Sequence, residues 1–308
     1  MHTRSKRFSS IVLAMSAILL VLSGCSYEPA YMGESAYENV VIIGIDGGGG
    51  LFKDGDAVID DFKDFFSTSD SSIGYEYYCE TPSISAQNWG SFLHGVTPDK
   101  LEVNNIKIGV ERFTNRKYPS VFQVIRNADP SCELASFCGW TPINYGLIET
   151  TAKVHKVPDQ RFIASVYSDQ EITDLVCDYL DTTLPKLLYV HLNEVDETGH
   201  SYGYGTTEHM DAIKTAQAQA LAIFSKYDTS KTLFIVVCDH GGTPDGEHGG
   251  DTEAEMKIVF AIRGNTVNPA GMTGSFYPRD LAPIILHALN ITIPSTMEGD
   301  PHTSLFND

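Results

Sequence analysis

Two stretches of the chain are apolar at almost every position, and they constrain the fold more than any other feature. The first, Asn39–Ile45, reads Asn-Val-Val-Ile-Ile-Gly-Ile, and the second, Thr232–Cys238, reads Thr-Leu-Phe-Ile-Val-Val-Cys. A strand without a polar face is typical of a sheet that other structure covers on both sides. These stretches therefore predict buried strands inside an α/β protein.

Strand and helix patterns alternate along the rest of the chain. Further strands are predicted over residues 134–140, 186–195 and 256–263. Apolar residues spaced three and four apart predict helices over residues 85–95, 120–127, 169–180, 206–227 and 278–289. Because such alternation is typical of βαβ units, we predict an α/β fold. It should be a single domain whose mainly parallel central sheet is flanked by helices on both faces.

The N-terminal residues have the pattern of an export signal. Three basic residues precede an apolar run over 11–22, which is too short to span a bilayer comfortably. The run ends in Leu-Ser-Gly-Cys25, which resembles the bacterial lipoprotein cleavage box, with a plain secretory signal as the alternative. The resemblance implies a lipoprotein signal peptide over 1–24, a lipidated tether over 25–36 and a folded domain over 37–308. It also implies an extracytoplasmic protein anchored to a bacterial membrane through Cys25.

The charge of the chain limits its partners. It has 21 basic and 40 acidic residues, and removal of residues 1–24 would change the net charge from −19 to −22. Such a surface repels the phosphate backbone of nucleic acids, so we expect no nucleic-acid-binding surface. A small anionic substrate would need local positive charge, which bound metal cations can supply.

The cysteines do not form a recognisable framework. Five follow Cys25, at positions 79, 132, 138, 177 and 238, and an odd number excludes complete pairing. No Cys-x-x-Cys pair is present, so a thiolate zinc site is not expected. For Cys132 and Cys138 the sequence permits either a disulfide or two buried thiols.

Acidic motifs stand where the two apolar strands end. Asp46 follows the first strand directly and precedes four glycines, and Asp239-His240-Gly-Gly follows the second. Open α/β sheets bind ligands at the carboxyl ends of their strands, so both motifs are placed for function. Taken alone, Asp46 could equally be a helix cap in a tight turn.

Further candidate ligands follow a third strand and the Asp-His motif. Asp196 and His200 are spaced i and i+4, which places both on one face of a helical turn, although a solvated loop is the alternative. His248 follows His240 by eight residues. Three aspartates and three histidines are too many ligands for one zinc ion and suit two metal sites with open positions. Carboxylate and imidazole favour zinc, with manganese or iron as alternatives.

A nucleophile is harder to identify from the residues alone. Ser83 and Ser85 both lie near the start of the helix predicted over 85–95. A serine there is usually a helix cap. The same position directs main-chain N–H groups at an incoming phosphate, so either hydroxyl could act on phosphorus.

Taken in order, the motifs resemble the alkaline phosphatase superfamily and, within it, the type I phosphodiesterase/nucleotide pyrophosphatase family. They are Ile-Gly-Ile-Asp46-Gly, Thr-Pro-Ser-Ile-Ser85-Ala-Gln-Asn-Trp with Leu-His-Gly95, Asp196-Glu-Thr-Gly-His200, Asp239-His240-Gly-Gly and His248-Gly. The likeness runs from Asn39 to the end of the chain. It implies an alkaline phosphatase-like fold for the catalytic domain over 37–308.

The resemblance also implies two divalent metal ions, with zinc favoured. One ion would be held by Asp196, His200 and His248, and the other by Asp46, Asp239, His240 and the oxygen of Ser85. Ser85 stands ten residues before Gly95, as the nucleophile of the family does, which selects it over Ser83. Asn105, with Asn104 as the alternate, would hold the phosphoryl oxygens.

The implied function is a metal-dependent hydrolase of phosphate esters, either a phosphodiesterase or a phosphomonoesterase. It would act on a small phosphorylated substrate through a phosphoseryl intermediate on Ser85. A phosphotransferase of the same fold and a non-catalytic metal-binding lipoprotein are the alternatives. The chain departs from the family in its serine nucleophile, in lacking a His-Gly before the asparagine, and in its short length, and these departures leave the substrate open.

Two single motifs were weighed as well. A sulfatase would need a Cys-x-Pro-x-Arg motif, and Cys79-Glu-Thr-Pro-Ser83 has neither the spacing nor the arginine. Trp140 and Tyr145 could wall the leaving-group side of the site, although core packing is the interpretation that we favour for both.

Overall fold

One twisted sheet of seven strands runs through the protein. The computed structural model describes residues 30–51, 57–160, 166–272 and 274–307. The strands are β1 (Asn39–Ile45), β2 (Ser71–Tyr78), β3 (Leu134–Cys138), β4 (His155–Val157), β5 (Leu187–Leu192), β6 (Thr232–Cys238) and β7 (Lys257–Arg263). Their order across the sheet is β2-β7-β6-β1-β5-β3-β4.

Most neighbouring strands of this sheet are parallel. β6, β1, β5, β3 and β4 all run in one direction, and β7 runs against both of its neighbours, β6 and β2. All seven residues of β1 and all seven of β6 are buried, as their apolar sequences require. The predicted α/β fold with a mainly parallel central sheet is confirmed.

Helices cover both faces of the sheet. They are α1 (Asp60–Phe65), α2 (Ser85–His94), α3 (Pro98–Leu101), α4 (Asn105–Val110), α5 (Val121–Ala128), α6 (Pro142–Gly146), α7 (Asp169–Leu180), α8 (Glu194–Tyr202), α9 (Thr207–Phe224), α10 (Glu253–Met256) and α11 (Leu281–Ala288). On one face Phe224 of α9 packs on Phe234, with ring centroids 4.9 Å apart. On the other face Trp89 of α2 packs edge-on against Tyr189, at 6.0 Å.

The predicted elements differ from the structure mainly at their ends. The strand predicted over 186–195 stops at Leu192, because α8 begins two residues later. Asp169 accepts the N–H groups of Asn193 (2.8 Å) and Glu194 (2.9 Å), which fixes the start of this helix. β2 and β4 were not predicted. β2 is only partly buried and carries no apolar run, and β4 has just three residues.

Residues 30–36, which the sequence assigned to a tether, lie against the domain. The N–H of Thr292 donates to the carbonyl of Ala30 at 3.0 Å, and the N–H of Met32 donates to the carbonyl of Asn290 at 2.7 Å. This part of the chain is therefore hydrogen-bonded to the region that follows α11, and the domain includes it.

The predicted signal peptide and Cys25 lie outside the described residues. Within the described ranges, no helix is both long and apolar enough to cross a bilayer. Cys132 and Cys138 are free thiols in the structure, and Cys138 is buried whereas Cys132 is only half-buried.

We expect the interior strands to dominate stability. Leu188 in β5 is fully buried, whereas Leu184, four residues earlier, is 50% exposed. Leu188→Ala should lower the free energy of unfolding by about 2–5 kcal/mol, because it leaves a cavity between sheet and helices. Leu184→Ala should change it by less than about 0.5 kcal/mol. Urea denaturation of both variants measures the difference, and similar losses would contradict the assigned burial.

Candidate active site

The register of the sheet brings two of the candidate ligands together. Ile45 pairs with Cys238 across β1 and β6, so the residues that follow, Asp46 and Asp239, leave adjacent strands side by side. The next residue, Gly47, has φ +66°, and a Cβ there would lie 2.6 Å from Oδ1 of Asp196. Glycine is therefore required for the β1 turn to approach the third carboxylate.

Asp46 and Asp239 each use one carboxylate oxygen for protein hydrogen bonds. Oδ2 of Asp46 accepts from Trp89 Nε1 at 3.0 Å and from His191 Nε2 at 2.9 Å. Oδ1 of Asp239 accepts two main-chain N–H groups, at 3.0 and 3.1 Å. The second oxygens, Oδ1 of Asp46 and Oδ2 of Asp239, are buried and have no hydrogen-bond partner among the described residues. Unpartnered buried carboxylate oxygens fit a bound cation.

Ionisation of both carboxyl groups of this pair is unfavourable without a cation. Burial and the neighbouring charge of Asp46 raise the pKa of Asp239 well above its usual value. Burial also opposes ionisation of Asp46, but its hydrogen bond to His191 and the nearby ring of His240, whose Nε2 lies 3.3 Å from Oδ1, hold the pKa of that carboxyl low. Two carboxylates in one buried site favour a divalent ion, which would stabilise both as anions.

The three candidate histidines share one arrangement. Each Nδ1 bonds a main-chain carbonyl oxygen: His200 to Gly246 at 2.7 Å, His240 to Gly241 at 2.9 Å and His248 to Ser83 at 2.8 Å. A carbonyl only accepts, so Nδ1 carries the proton in each ring and Nε2 is left as a metal ligand. The rings of His240 and His248 are stacked, with centroids 3.8 Å apart.

The ligand atoms form two compact groups. Asp46, Asp239 and His240 make one, as the resemblance implied, with all ligand atoms within 4.8 Å of one another. The second group consists of Asp196, His240 and His248, within the same limit. His240 is a member of both groups. His200 belongs to neither of them, but its Nε2 lies 3.2 Å from Oδ2 of Asp196 and its side chain is 44% exposed.

Ser85 is the hydroxyl that faces these groups. It is the first residue of α2, is buried, and has its Oγ 3.3 Å from Nε2 of His240. Ser83 points elsewhere: its Oγ donates to the carbonyl of Gly250 at 2.9 Å and accepts the N–H of Gly249 at 3.0 Å. The structure thus separates the two serines that the residue pattern could not.

The two asparagines are separated in the same way. Oδ1 of Asn105 accepts the N–H of Ala86 at 3.0 Å, which places Asn105 beside the residue that follows Ser85. Asn104 caps α4 by accepting the N–H of Lys107 at 2.9 Å. Of the two, Asn105 is the one that contacts the first turn of the helix that begins at Ser85.

Three residues that support the ligands were missed. Trp89 and His191 donate to Asp46, and Tyr204 donates from its hydroxyl to Oδ1 of Asp196 at 2.5 Å. Trp89 reaches the strand because Gly44 has no Cβ, which would lie 2.6 Å from the indole ring. A histidine inside an apolar strand was the one signal in the sequence that pointed to His191.

Three other residues discussed above lie outside the ligand groups: Trp140, Tyr145 and Cys79. Trp140 is half-buried against the core, and its N–H lies 3.5 Å from Nδ1 of His191. Tyr145 stacks under the guanidinium of Arg112, 4.3 Å from the ring centroid. Cys79 is buried, and burial raises the pKa of its thiol well above the ordinary value, which suits packing rather than nucleophilic attack.

Known proteins resemble this chain over its central part. The family model of type I phosphodiesterase / nucleotide pyrophosphatase matches residues 40–254. A 2,3-bisphosphoglycerate-independent phosphoglycerate mutase of Natronomonas pharaonis is 26% identical over 144 residues, which are 43% of this chain and 27% of that protein. The catalytic subunit of GPI ethanolamine phosphate transferase 3 of Mus musculus is 25% identical over 147 residues, 45% of this chain and 13% of that protein. The chain therefore spans a small part of the length of these relatives.

Solved structures share the fold. An inactive form of murine ectonucleotide pyrophosphatase / phosphodiesterase 5, in complex with AMP, has a TM-score of 0.63 at 12% identity, covering 88% of this chain and 100% of that one. A putative sulfatase from Bacteroides fragilis has a TM-score of 0.63 at 14% identity, covering 89% and 79%. At such identities the likeness shows the fold alone. Because the family model covers more than half of the chain, the protein belongs to the type I phosphodiesterase / nucleotide pyrophosphatase family.

Proposed function

We propose that the protein is a two-metal hydrolase of phosphate esters that acts through a phosphoseryl intermediate on Ser85. One observation carries this proposal: the buried Oγ of Ser85 lies 3.3 Å from Nε2 of His240, and His240 is a member of both ligand groups. Membership of the family supports phosphoester chemistry, and the ligand groups support dependence on divalent metals.

The ligand set favours zinc. Imidazole nitrogens and carboxylate oxygens together suit zinc better than magnesium, which prefers oxygen alone. Two bound cations would lower the pKa of the attacking hydroxyl and stabilise the charge that spreads over the phosphoryl oxygens. In the proposed assignment Asp46, Asp239 and His240 hold one ion with Ser85, and Asp196, His200 and His248 hold the other.

The residues of the chain account for the remaining steps. Oγ of Ser85 attacks phosphorus, so that an O–P bond forms as the bond to the leaving oxygen breaks in line with it. Asn105 has Oδ1 engaged by the N–H of Ala86, so Nδ2 is its donor toward a phosphoryl oxygen. Water then hydrolyses the phosphoserine and restores the hydroxyl.

A phosphotransferase is the second candidate. It is favoured by the printed names of two relatives, a phosphoglycerate mutase and an ethanolamine phosphate transferase. In that case an acceptor alcohol, rather than water, would take the phosphoryl group from Ser85. A non-catalytic metal-binding lipoprotein is disfavoured, because metal binding alone needs no buried hydroxyl beside His240.

Charge and topology support one proposal for the substrate and another for the location. We propose a small phosphorylated substrate, because the acidic surface repels polyanions. We also propose a lipid anchor at Cys25. The ring of Tyr31 lies under Nζ of Lys186, and Lys186 immediately precedes the first residue of β5. Tyr31 therefore lies at the edge of the sheet where the parallel strands begin. The ligands follow the carboxyl ends of the strands, roughly 20 Å away along β1, so the anchor would leave the site facing away from the bilayer.

Metal binding should release protons. In the metal-free protein, hydrogen bonding to Asp196 raises the pKa of His200 to about 9. Burial lowers the pKa of His240, but the nearby carboxylates of Asp239 and Asp46 outweigh it and raise this pKa to about 10. Both rings are therefore protonated at pH 7 and must lose a proton to bind zinc. Affinity for Zn²⁺ should rise with pH toward 9.

Calorimetry in buffers of different ionisation enthalpy counts these protons after chelator treatment. His200→Asn should release fewer protons than the native protein. His287→Asn is the matched control, because burial lowers the pKa of His287 and that ring is already neutral at pH 7. Binding of fewer than about two metal ions per chain at zinc saturation would contradict the two-metal proposal.

Ser85→Ala should abolish turnover and leave metal content and fold nearly intact. Only the attacking oxygen is lost, and the six aspartate and histidine ligands remain. We expect kcat to fall by roughly three orders of magnitude or more, with little change in substrate binding. Hydrolysis of paired chromogenic mono- and diesters under equal zinc loading measures the loss and the substrate preference. Full activity of Ser85→Ala would show that water attacks directly.

Cys25 should carry the lipid. Mass spectrometry of protein extracted from membranes should find a diacylated N-terminal cysteine and none of residues 1–24. An N-terminus at another residue, with an unmodified Cys25, would refute the anchor.

A further inference from the structure

Ser83 bonds the loop that carries His248. This serine is fully buried, and three hydrogen bonds join it to that loop. Its Oγ donates to the carbonyl of Gly250 (2.9 Å) and accepts the N–H of Gly249 (3.0 Å), while its own carbonyl accepts from Nδ1 of His248 (2.8 Å). The side chain and the main chain of one residue thus fix three successive residues of the loop.

The hydroxyl of Ser83 has no role in capping α2. The N-cap of this helix is Ile84, which makes no side-chain cap bond, and both hydrogen bonds of the Ser83 hydroxyl go to the loop. The loop is held from its other side by Glu255, which accepts the N–H of Gly250 at 2.8 Å. The loop that carries His248 is therefore hydrogen-bonded to both Ser83 and Glu255.

The position of Ser83 in the chain gives these bonds a functional meaning. Ser83 is two residues before Ser85, whose Oγ faces His240. Nε2 of His248 points to the site, 4.0 Å from Oδ1 of Asp196. One short segment therefore carries the nucleophile and also sets the direction of a candidate metal ligand.

We propose that Ser83 is a positioning residue that fixes His248 relative to Ser85, so that the second metal group is held in register with the nucleophile. This inference rests on the two-metal function proposed above. Ser83 is not itself a member of either ligand group. Hydrogen-bond partners of ligating histidines typically contribute about 10- to 100-fold in metal affinity.

The test compares three variants of the full domain by zinc titration. Ser83→Ala removes the hydroxyl, Ser83→Thr retains it, and Ser91→Ala is the control. Ser91 is a fully buried serine of α2, the helix that follows Ser83, and its Oγ has no hydrogen-bond partner among the described residues. Ser83→Ala keeps the carbonyl that bonds Nδ1 of His248 and removes only the two hydroxyl bonds to the loop. It should therefore weaken one of the two zinc-binding steps by about 10-fold, the lower end of that range, and leave the other nearly unchanged. Ser83→Thr and Ser91→Ala should bind as the native protein does.

Cobalt substitution supplies a readout that does not depend on turnover. The visible spectrum of the Co²⁺-loaded protein reports the geometry at each metal, and Ser83→Ala should alter the component of one site only, with recovery in Ser83→Thr. Two native zinc affinities and a native cobalt spectrum in Ser83→Ala would overturn the inference and leave the proposed function standing. If Ser83→Ala lowered the zinc affinity of both sites equally, or if Ser91→Ala lowered it as well, Ser83 would contribute only to general packing. The inference would then be overturned. A native protein that binds no second metal would refute the proposed function and this inference with it.

Discussion

The rest of the site depends on one unfavourable contact, the pairing of two buried carboxylates at the ends of adjacent strands. Asp46 and Asp239 stand side by side because Ile45 and Cys238 are partners in the sheet. Each has one oxygen satisfied by the protein and one that is buried without a partner. A buried anion without compensation is strongly destabilising, so the fold is arranged to receive positive charge at this point.

The sheet supplies only half of the site. Asp46 follows the last residue of β1, and Asp239 and His240 follow the last residue of β6. Both strands are fully buried. The other half comes from α8, which carries Asp196 and His200, and from the loop of His248, and these elements are held by side chains rather than by the sheet ladder. Asp169 fixes the start of α8, and burial raises the pKa of its carboxyl to about 6. The second metal group is thus the one whose geometry depends most on single hydrogen bonds.

The sequence predicted the part of the site that the sheet determines. Fully apolar strands and the aspartates after them follow from local pattern, because the carboxyl ends of parallel strands share an edge. Trp89, His191, Tyr204 and Ser83 were not predicted to support ligands, since each reaches its partner through packing between distant segments. The choice of Ser85 over Ser83 came from resemblance to a family. Position near a helix start could not separate them, whereas the distance from Ser85 Oγ to His240 does.

The donors around the carboxylates support the proposed metal sites. Trp89 and Tyr204 donate from uncharged groups. His191 donates from Nε2 to Asp46 at 2.9 Å, and its Nδ1 lies 3.5 Å from the main-chain N of Trp140. In the described ranges no lysine or arginine pairs with Asp46, Asp196 or Asp239. A lysine or arginine would neutralise these carboxylates and compete with a metal, whereas neutral donors orient one oxygen and leave the negative charge for the cation.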